Sequence, residues 1–241
     1  MMSNGTLISV FLHADWMWHA VALGLIFIIL FNVMAKSSQE AGVAITSVAN
    51  KMSFIGPILF GIFYLEEDFS IWQKVGVTLA IGAVFLSSYS KSSEKSKAKI
   101  FLPIVLFFGG VLLDTILGAT QTTYVKEGET LLFTGSIFGV AAVLGLTWLV
   151  INSFKSKDIP KTKDLVAGII LGIPNFLSIF LFLSALEITT WDSAQLFPTF
   201  NLSVIVVNAI VGFFFFKEKL NLINYIGITL ATTAIALIIF G

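Results

Sequence analysis

The sequence predicts an all-α polytopic membrane protein, with eight transmembrane helices in two inverted repeats of three and five helices. Three observations lead there. First, 57% of the 241 residues are hydrophobic and 12% are charged, and the mean hydropathy is +0.96. A soluble domain of this size cannot hide so much apolar surface, whereas lipid accepts it. Second, the apolar residues gather in runs of about 20, the length of a helix that crosses the hydrocarbon core. Barrel strands would instead alternate in polarity over about 10 residues. Third, residues 50–86 recur at 201–237. A shift of 151 superposes Asn50 on Asn201, Gly61 on Gly212, Phe63 on Phe214 and Glu67 on Glu218. The same shift superposes Gly76 on Gly227, Thr78 on Thr229, Leu79 on Leu230, Ala80 on Ala231, Ala83 on Ala234 and Leu86 on Leu237. No gap is needed, and apolar composition does not readily place Asn, Glu, Thr and Gly in one frame by chance. This is an internal duplication.

The predicted helices span 17–36, 42–65, 71–89, 101–125, 131–153, 165–187, 193–216 and 221–240. Trp16 and Trp18 stand at the start of the first, where an interfacial aromatic belt lies. The first ten residues lack a basic region, so no signal peptide is predicted. Polar runs separate the helices: Lys-Ser-Ser-Gln-Glu at 36–40, Glu66, Glu67 and Asp68, and Lys-Glu-Gly-Glu-Thr at 126–130. Lys91, Lys95, Lys97 and Lys99 crowd one loop, and Lys155, Lys157, Lys161 and Lys163 another. Eight crossings put both loops on one side, together with Lys36, Lys217 and Lys219. Lys74 and Lys126 lie opposite. By the positive-inside rule the lysine-rich side is cytoplasmic.

The two copies of the duplicated unit are five helices apart. An odd spacing turns one copy upside down relative to the other. The predicted domains are a three-helix repeat at 1–90, a Lys-rich cytoplasmic linker at 91–100 and a five-helix repeat at 101–241. The three-against-five count leads to the expectation that two helices precede Met1, with a start codon placed too far downstream as the simplest cause.

Composition removes several function classes. Net charge is zero and there is no cysteine. Nucleic acid is therefore not an expected partner, and disulfides and thiolate metal sites are excluded. No His-Glu-x-x-His pair, phosphate-binding loop or dinucleotide turn is present, and no cofactor is predicted.

What remains is polar chemistry inside the predicted helices. A charge near mid-bilayer costs about 2.5–3.5 kcal/mol on insertion scales. Lys51 and Asp114 are the two candidates, about 13 Å and about 20 Å from the same face at 1.5 Å per residue. They are expected to pair or to share a water-filled cavity as a substrate or proton site. A structural ion pair, or a Lys51 that snorkels to the surface, stands beside that expectation. Asn50 and Asn201 form the symmetric pair. Their amides suit a polar cargo or a bond between helices. Asp114 and Gln121 share a face of their helix. So do Asn175 and Ser178, beside Pro174, which is expected to bend the helix.

The segments FGIFYLEEDFS with IWQKVGVTLAIGAVFL, and VGFFFFKEKLN with LINYIGITLATTAIAL, resemble the EamA-like branch of the drug/metabolite transporter superfamily. In each, an apolar helix ends at a Glu (Glu67, Glu218) and a Gly-containing helix follows (Gly76, Gly227). The resemblance covers nearly the whole chain and implies two inverted five-helix repeats, of which the first two helices are absent here. Pro57 occupies the family's mid-helix proline in the first copy, whereas Asn208 stands there in the second and Pro198 lies earlier. Family members are commonly drawn with both ends cytoplasmic, opposite to what the lysines indicate.

The resemblance implies a secondary transporter of small metabolites, amino-acid-like or otherwise polar or amphipathic. It would work by alternating access, either facilitated or coupled to a proton gradient, and Asp114, as the one deep acid, is the candidate proton carrier. A truncated remnant without transport activity, or a membrane scaffold, is the alternative. The expected partners are the bilayer of the cell membrane, a small-molecule cargo and a second copy of the chain.

Overall fold

The computed structural model describes residues 11, 13–41, 46, 49–64, 66, 68, 70–87, 101–156, 161–189, 191, 193–214 and 222–240. Glu67, Glu218 and the loop lysines at 91, 95, 97, 99, 157, 217 and 219 lie outside the described residues. Among the described residues there is no strand. The α-helices are α1 (Met17–Glu40), α2 (Ile55–Tyr64), α3 (Ile71–Ser87), α4 (Phe101–Thr123), α5 (Thr130–Ser156), α6 (Thr162–Ile188), α7 (Ser193–Phe214) and α8 (Leu222–Phe240). α1, α4, α5 and α6 are long and apolar enough to cross a membrane, and α3 and α8 contain shorter apolar stretches. This is the pattern of a polytopic membrane protein.

One predicted helix is corrected. The run at 42–65 was expected to be continuous, but Met52–Phe54 form a 3-10 turn ahead of α2. Pro57 explains the change. It has no N–H to give the carbonyl four residues back, at Ser53, and its ring crowds that carbonyl. The tighter i→i+3 pattern takes over just before it. In α6, by contrast, the helix runs through Pro174 as one element.

The chain divides into two compact units that cut α1 and α4: 1–29 with 116–189, and 30–115 with 190–241. The predicted repeats follow chain order and the units follow packing, so the two divisions are of different kinds.

In the first unit, Trp16 is fully buried. Its ring meets Phe133 edge-on at 5.4 Å, and its indole N–H donates to Glu129 Oε2 at 2.9 Å. Two turns further on the same side, α1 meets α5 closely. A Cβ on Gly24 would lie 2.8 Å from the Ile137 carbonyl oxygen. Phe27, Phe138 and Phe176 then link α1, α5 and α6 through ring contacts of 5.1 and 5.3 Å. The α4–α5 turn closes at Gly128, with φ +83°, a conformation that costs glycine nothing.

The second unit contains the most extensively packed helix pair among the described residues, α3 with α8. Its seam is built of small residues one turn apart on each side. Ala80 and Ala83 face it from α3, and Ala231 and Ala234 from α8, all with no exposure. A Cβ on Gly76 would meet the Ala234 carbonyl oxygen and Leu237 Cβ at 3.1 Å and Ile238 Cγ1 at 2.9 Å. The first turns of α3 therefore lie against the last turns of α8, and the two helices run antiparallel. Between helices in lipid the attraction comes from close van der Waals contact, which small residues permit.

Gly76→Leu should force α3 and α8 apart. The expected cost is that of overpacking, about 1–3 kcal/mol, read as a lower thermal midpoint of the purified protein in detergent. An unchanged midpoint would show that this seam is not packed as described.

Candidate functional site

α4 carries one ionisable side chain in 23 residues, Asp114. It sits about 20 Å along the helix from Phe101, at 1.5 Å per residue. In hydrocarbon no solvent is available to satisfy such a group, so the protein must. The partner is Ser53, on the 3-10 turn. Its Oγ is hydrogen-bonded to Asp114 Oδ2 and lies 2.7 Å from the carbonyl oxygen of Asn50. Ser53 is 4% exposed.

Two glycines let this serine reach the acid. Gly110 precedes Asp114 by one turn on the same face of α4, and a Cβ there would stand 2.9 Å from Ser53 Cβ. Gly56 closes the crossing from the other side. A Cβ on it would stand 2.8 Å from the Val111 carbonyl oxygen and would collide with Thr115 Oγ1. Thr115 turns its own hydroxyl back to Val111 O at 2.6 Å, so it makes no demand on the acid.

The sequence candidates separate by unit. Asn50, Lys51, Asp114 and Asn201 belong to the second unit, and Gln121, Asn175 and Ser178 to the first. Asn50 joins the Asp114 site through its backbone carbonyl. Lys51 is half-buried. Among the described residues no ion pair links it to Asp114, so the acid's partner is a hydroxyl where an ammonium was one expectation. Asn201 spends its amide on its own helix, donating to Phe197 O at 3.0 Å. Ser178 likewise donates to Asn175 O at 2.8 Å.

Gln121 belongs to a second polar cluster. Its Nε2 donates to Thr130 Oγ1 at 2.7 Å, and Thr130 donates to Glu187 Oε2 at 2.6 Å. Glu187 Oε1 also accepts from Gly128 N at 2.6 Å. The carboxylate at the end of α6 thus answers donors at the open start of α5. Among the described residues Gln121 Oε1 is buried without a hydrogen-bond partner. Among the described residues no group of three or more His, Cys, Asp or Glu is placed to hold a metal.

Ser53, Thr130 and Glu187 were not singled out from the sequence. Pro57, four residues after Ser53, was the available signal for the first. Under the 151-residue shift Glu187 falls on Lys36, a match that says nothing of Gly128 or Thr130.

Residues 101–240 match the model of the EamA-like transporter family. The chain is also similar to an uncharacterized protein of Haemophilus influenzae (strain Rd), at 25% identity over 218 residues, covering 89% of this chain and 72% of that protein.

Two substitutions test the geometry. Gly56→Ala places a methyl group against backbone and should destabilise the fold by about 1–3 kcal/mol, whereas Gly135→Ala, where a Cβ meets nothing within 4 Å, should be neutral. Thr130→Val leaves the Gln121 amide N–H without its acceptor and Glu187 Oε2 without its donor. A loss of about 1–3 kcal/mol is expected for such orphaned groups. Equal stability of Gly56→Ala and Gly135→Ala, or a silent Thr130→Val, would contradict the contacts described.

Proposed function

The chain belongs to the EamA-like transporter family, and on that footing we propose that it is a secondary transporter of small polar or amphipathic metabolites, coupled to protons through Asp114. Members of this family are membrane transporters of small molecules rather than enzymes. The cargo class, the mechanism and the coupling are what is proposed here.

The observation that carries the proposal is the placement of Asp114. A carboxyl group deep in an apolar helix is costly, and such groups mark ion and substrate pathways. Ser53 and the Asn50 carbonyl surround it with further polar atoms, and Lys51 is the next residue along the turn. A hydroxyl both donates and accepts, a carbonyl accepts and an ammonium donates, a set that suits an amino-acid-like solute.

Alternating access is supported by the antiparallel packing of α3 and α8. These two helices are the closing members of the duplicated sequence unit. Antiparallel copies are what an inverted repeat requires, and rocking of one repeat against the other around a mid-membrane site is the usual working mode of such folds. In this scheme the eight predicted segments, with 42–65 taken whole, cross the inner membrane. The loops that hold eleven of the lysines face the cytoplasm.

The test is uptake into proteoliposomes holding the purified full chain, with a panel of radiolabelled amino acids and related small metabolites. An inward proton gradient should drive at least one of them above its equilibrium level. Asp114→Asn should still exchange that solute across the membrane but should no longer concentrate it. Accumulation that persists undiminished in Asp114→Asn would remove the acid from the coupling step.

A further inference from the structure

Ser53 has one hydroxyl hydrogen and two oxygens in reach of it. The Asn50 carbonyl oxygen, at 2.7 Å, carries no hydrogen and can only accept. When Ser53 donates to it, Asp114 Oδ2 can stay bonded to Ser53 Oγ only by supplying a hydrogen of its own, as the acid. When Asp114 is ionised it too can only accept. Ser53 must then turn its hydrogen to the carboxylate and let go of the Asn50 carbonyl.

We propose that Ser53 is a positioning residue through which the helix backbone reads the proton on Asp114. With the acid protonated, the hydroxyl ties down the Asn50 carbonyl and holds the 3-10 turn Met52–Phe54 in the setting described. With the acid ionised, the same hydroxyl leaves that carbonyl, and the turn loses its side-chain tie. The proton itself leaves from Asp114 Oδ2. Ser53 keeps its hydrogen throughout and changes only the oxygen it faces.

The site is built for such a readout. The turn lies where Pro57 has already removed the regular bond to the Ser53 carbonyl, and the Ile55 N–H serves the Met52 and Ser53 carbonyls in its place. In hydrocarbon a released carbonyl must find a new partner, and the local helix geometry follows. Gly110 and Gly56 hold Ser53 against α4, so the hydroxyl hydrogen can turn while the side chain stays in place.

Few other charges compete. On the turn, α2, α4 and α7, the ionisable side chains among the described residues are Lys51, Tyr64 and Asp114. α1 meets α4 where a Cβ on Gly109 would touch Leu30. In that half of α1 the charged residues are Lys36 and Glu40, which pair with each other at 4.0 Å.

This inference rests on Asp114 as the proton site, but its test requires no cargo. Infrared spectra would be recorded against pH for the full chain in phosphatidylcholine/phosphatidylglycerol bilayers, with asparagine labelled with carbon-13 at its backbone carbonyl. Asp114→Asn identifies the Asp114 carboxyl band by its loss, and Asn50→Gln identifies the Asn50 carbonyl band in the same way. In the wild type both bands should shift at the same pH. In Ser53→Ala the carboxyl band should still titrate while the Asn50 shift disappears, and Ser53→Thr should restore it.

An Asn50 band that ignores the titration in the wild type, or that moves equally in Ser53→Ala, overturns the proposal. So does an Asp114 band that never titrates. If the two bands move together but no solute is ever concentrated, the transport reading fails and the proton-reading turn stands.

Discussion

A carboxyl group set deep in an apolar helix must be answered from inside the protein, because the surrounding hydrocarbon offers no hydrogen bonds. Asp114 imposes that condition on α4, and several features of the second unit follow from it. The answering group must come from a neighbouring element and must approach closely, so the facing positions are small: Gly110 on α4 and Gly56 on α2. It must also reach across to α4 even while its oxygen stays beside its own backbone at Asn50. The 3-10 turn at Met52–Phe54 sets that direction for Ser53, and Pro57 sets the turn.

The same logic of close approach governs α3 and α8, without any polar group. Gly76, Ala80 and Ala83 on one helix and Gly227, Ala231 and Ala234 on the other are repeat-mates, and each set falls on one face at i, i+4 and i+7. In an antiparallel crossing of repeat-mates, one set of residues serves both sides. The Gly76 contact with Ala234 implies, by that symmetry, a Gly227 contact with Ala83. Small residues retained in both copies are then explained by packing alone, with no need for a function at the seam.

The helices and the seam were legible in the sequence because lipid leaves a coarse record. Each segment is apolar along its whole length, and a duplicated contact surface matches in frame. Asp114 was legible as the one deep acid. Its partner was not. Depth along the bilayer can be counted from residue numbers, and Lys51 and Asp114 differ in depth by about 7 Å, little more than a lysine side chain can reach. Azimuth cannot be counted once the helix changes pitch, and Lys51 and Ser53, two residues apart, point about 200° away from each other on a regular helix. Depth chose the ammonium, and geometry chose the hydroxyl. The Glu187 cluster was hidden for a different reason. Its bonds to Gly128 and Thr130 span 59 and 57 residues, and nothing local in the chain anticipates them.

The two polar clusters differ in how many hydrogen-bond arrangements they allow, and this difference bears on function. In the first unit each of three donors has its own acceptor. The Gln121 amide donates to Thr130, the Thr130 hydroxyl to Glu187, and the Gly128 N–H to the other oxygen of Glu187. Such a chain is directional, and it fastens the end of α6 to the α4–α5 turn. In the second unit Ser53 stands between an oxygen that can never donate and one that donates only when protonated. A fastening and a switch can thus be built from the same hydroxyl chemistry. They differ only in whether the acid at the end of the chain is already fully answered by other donors, as Glu187 is and Asp114 is not.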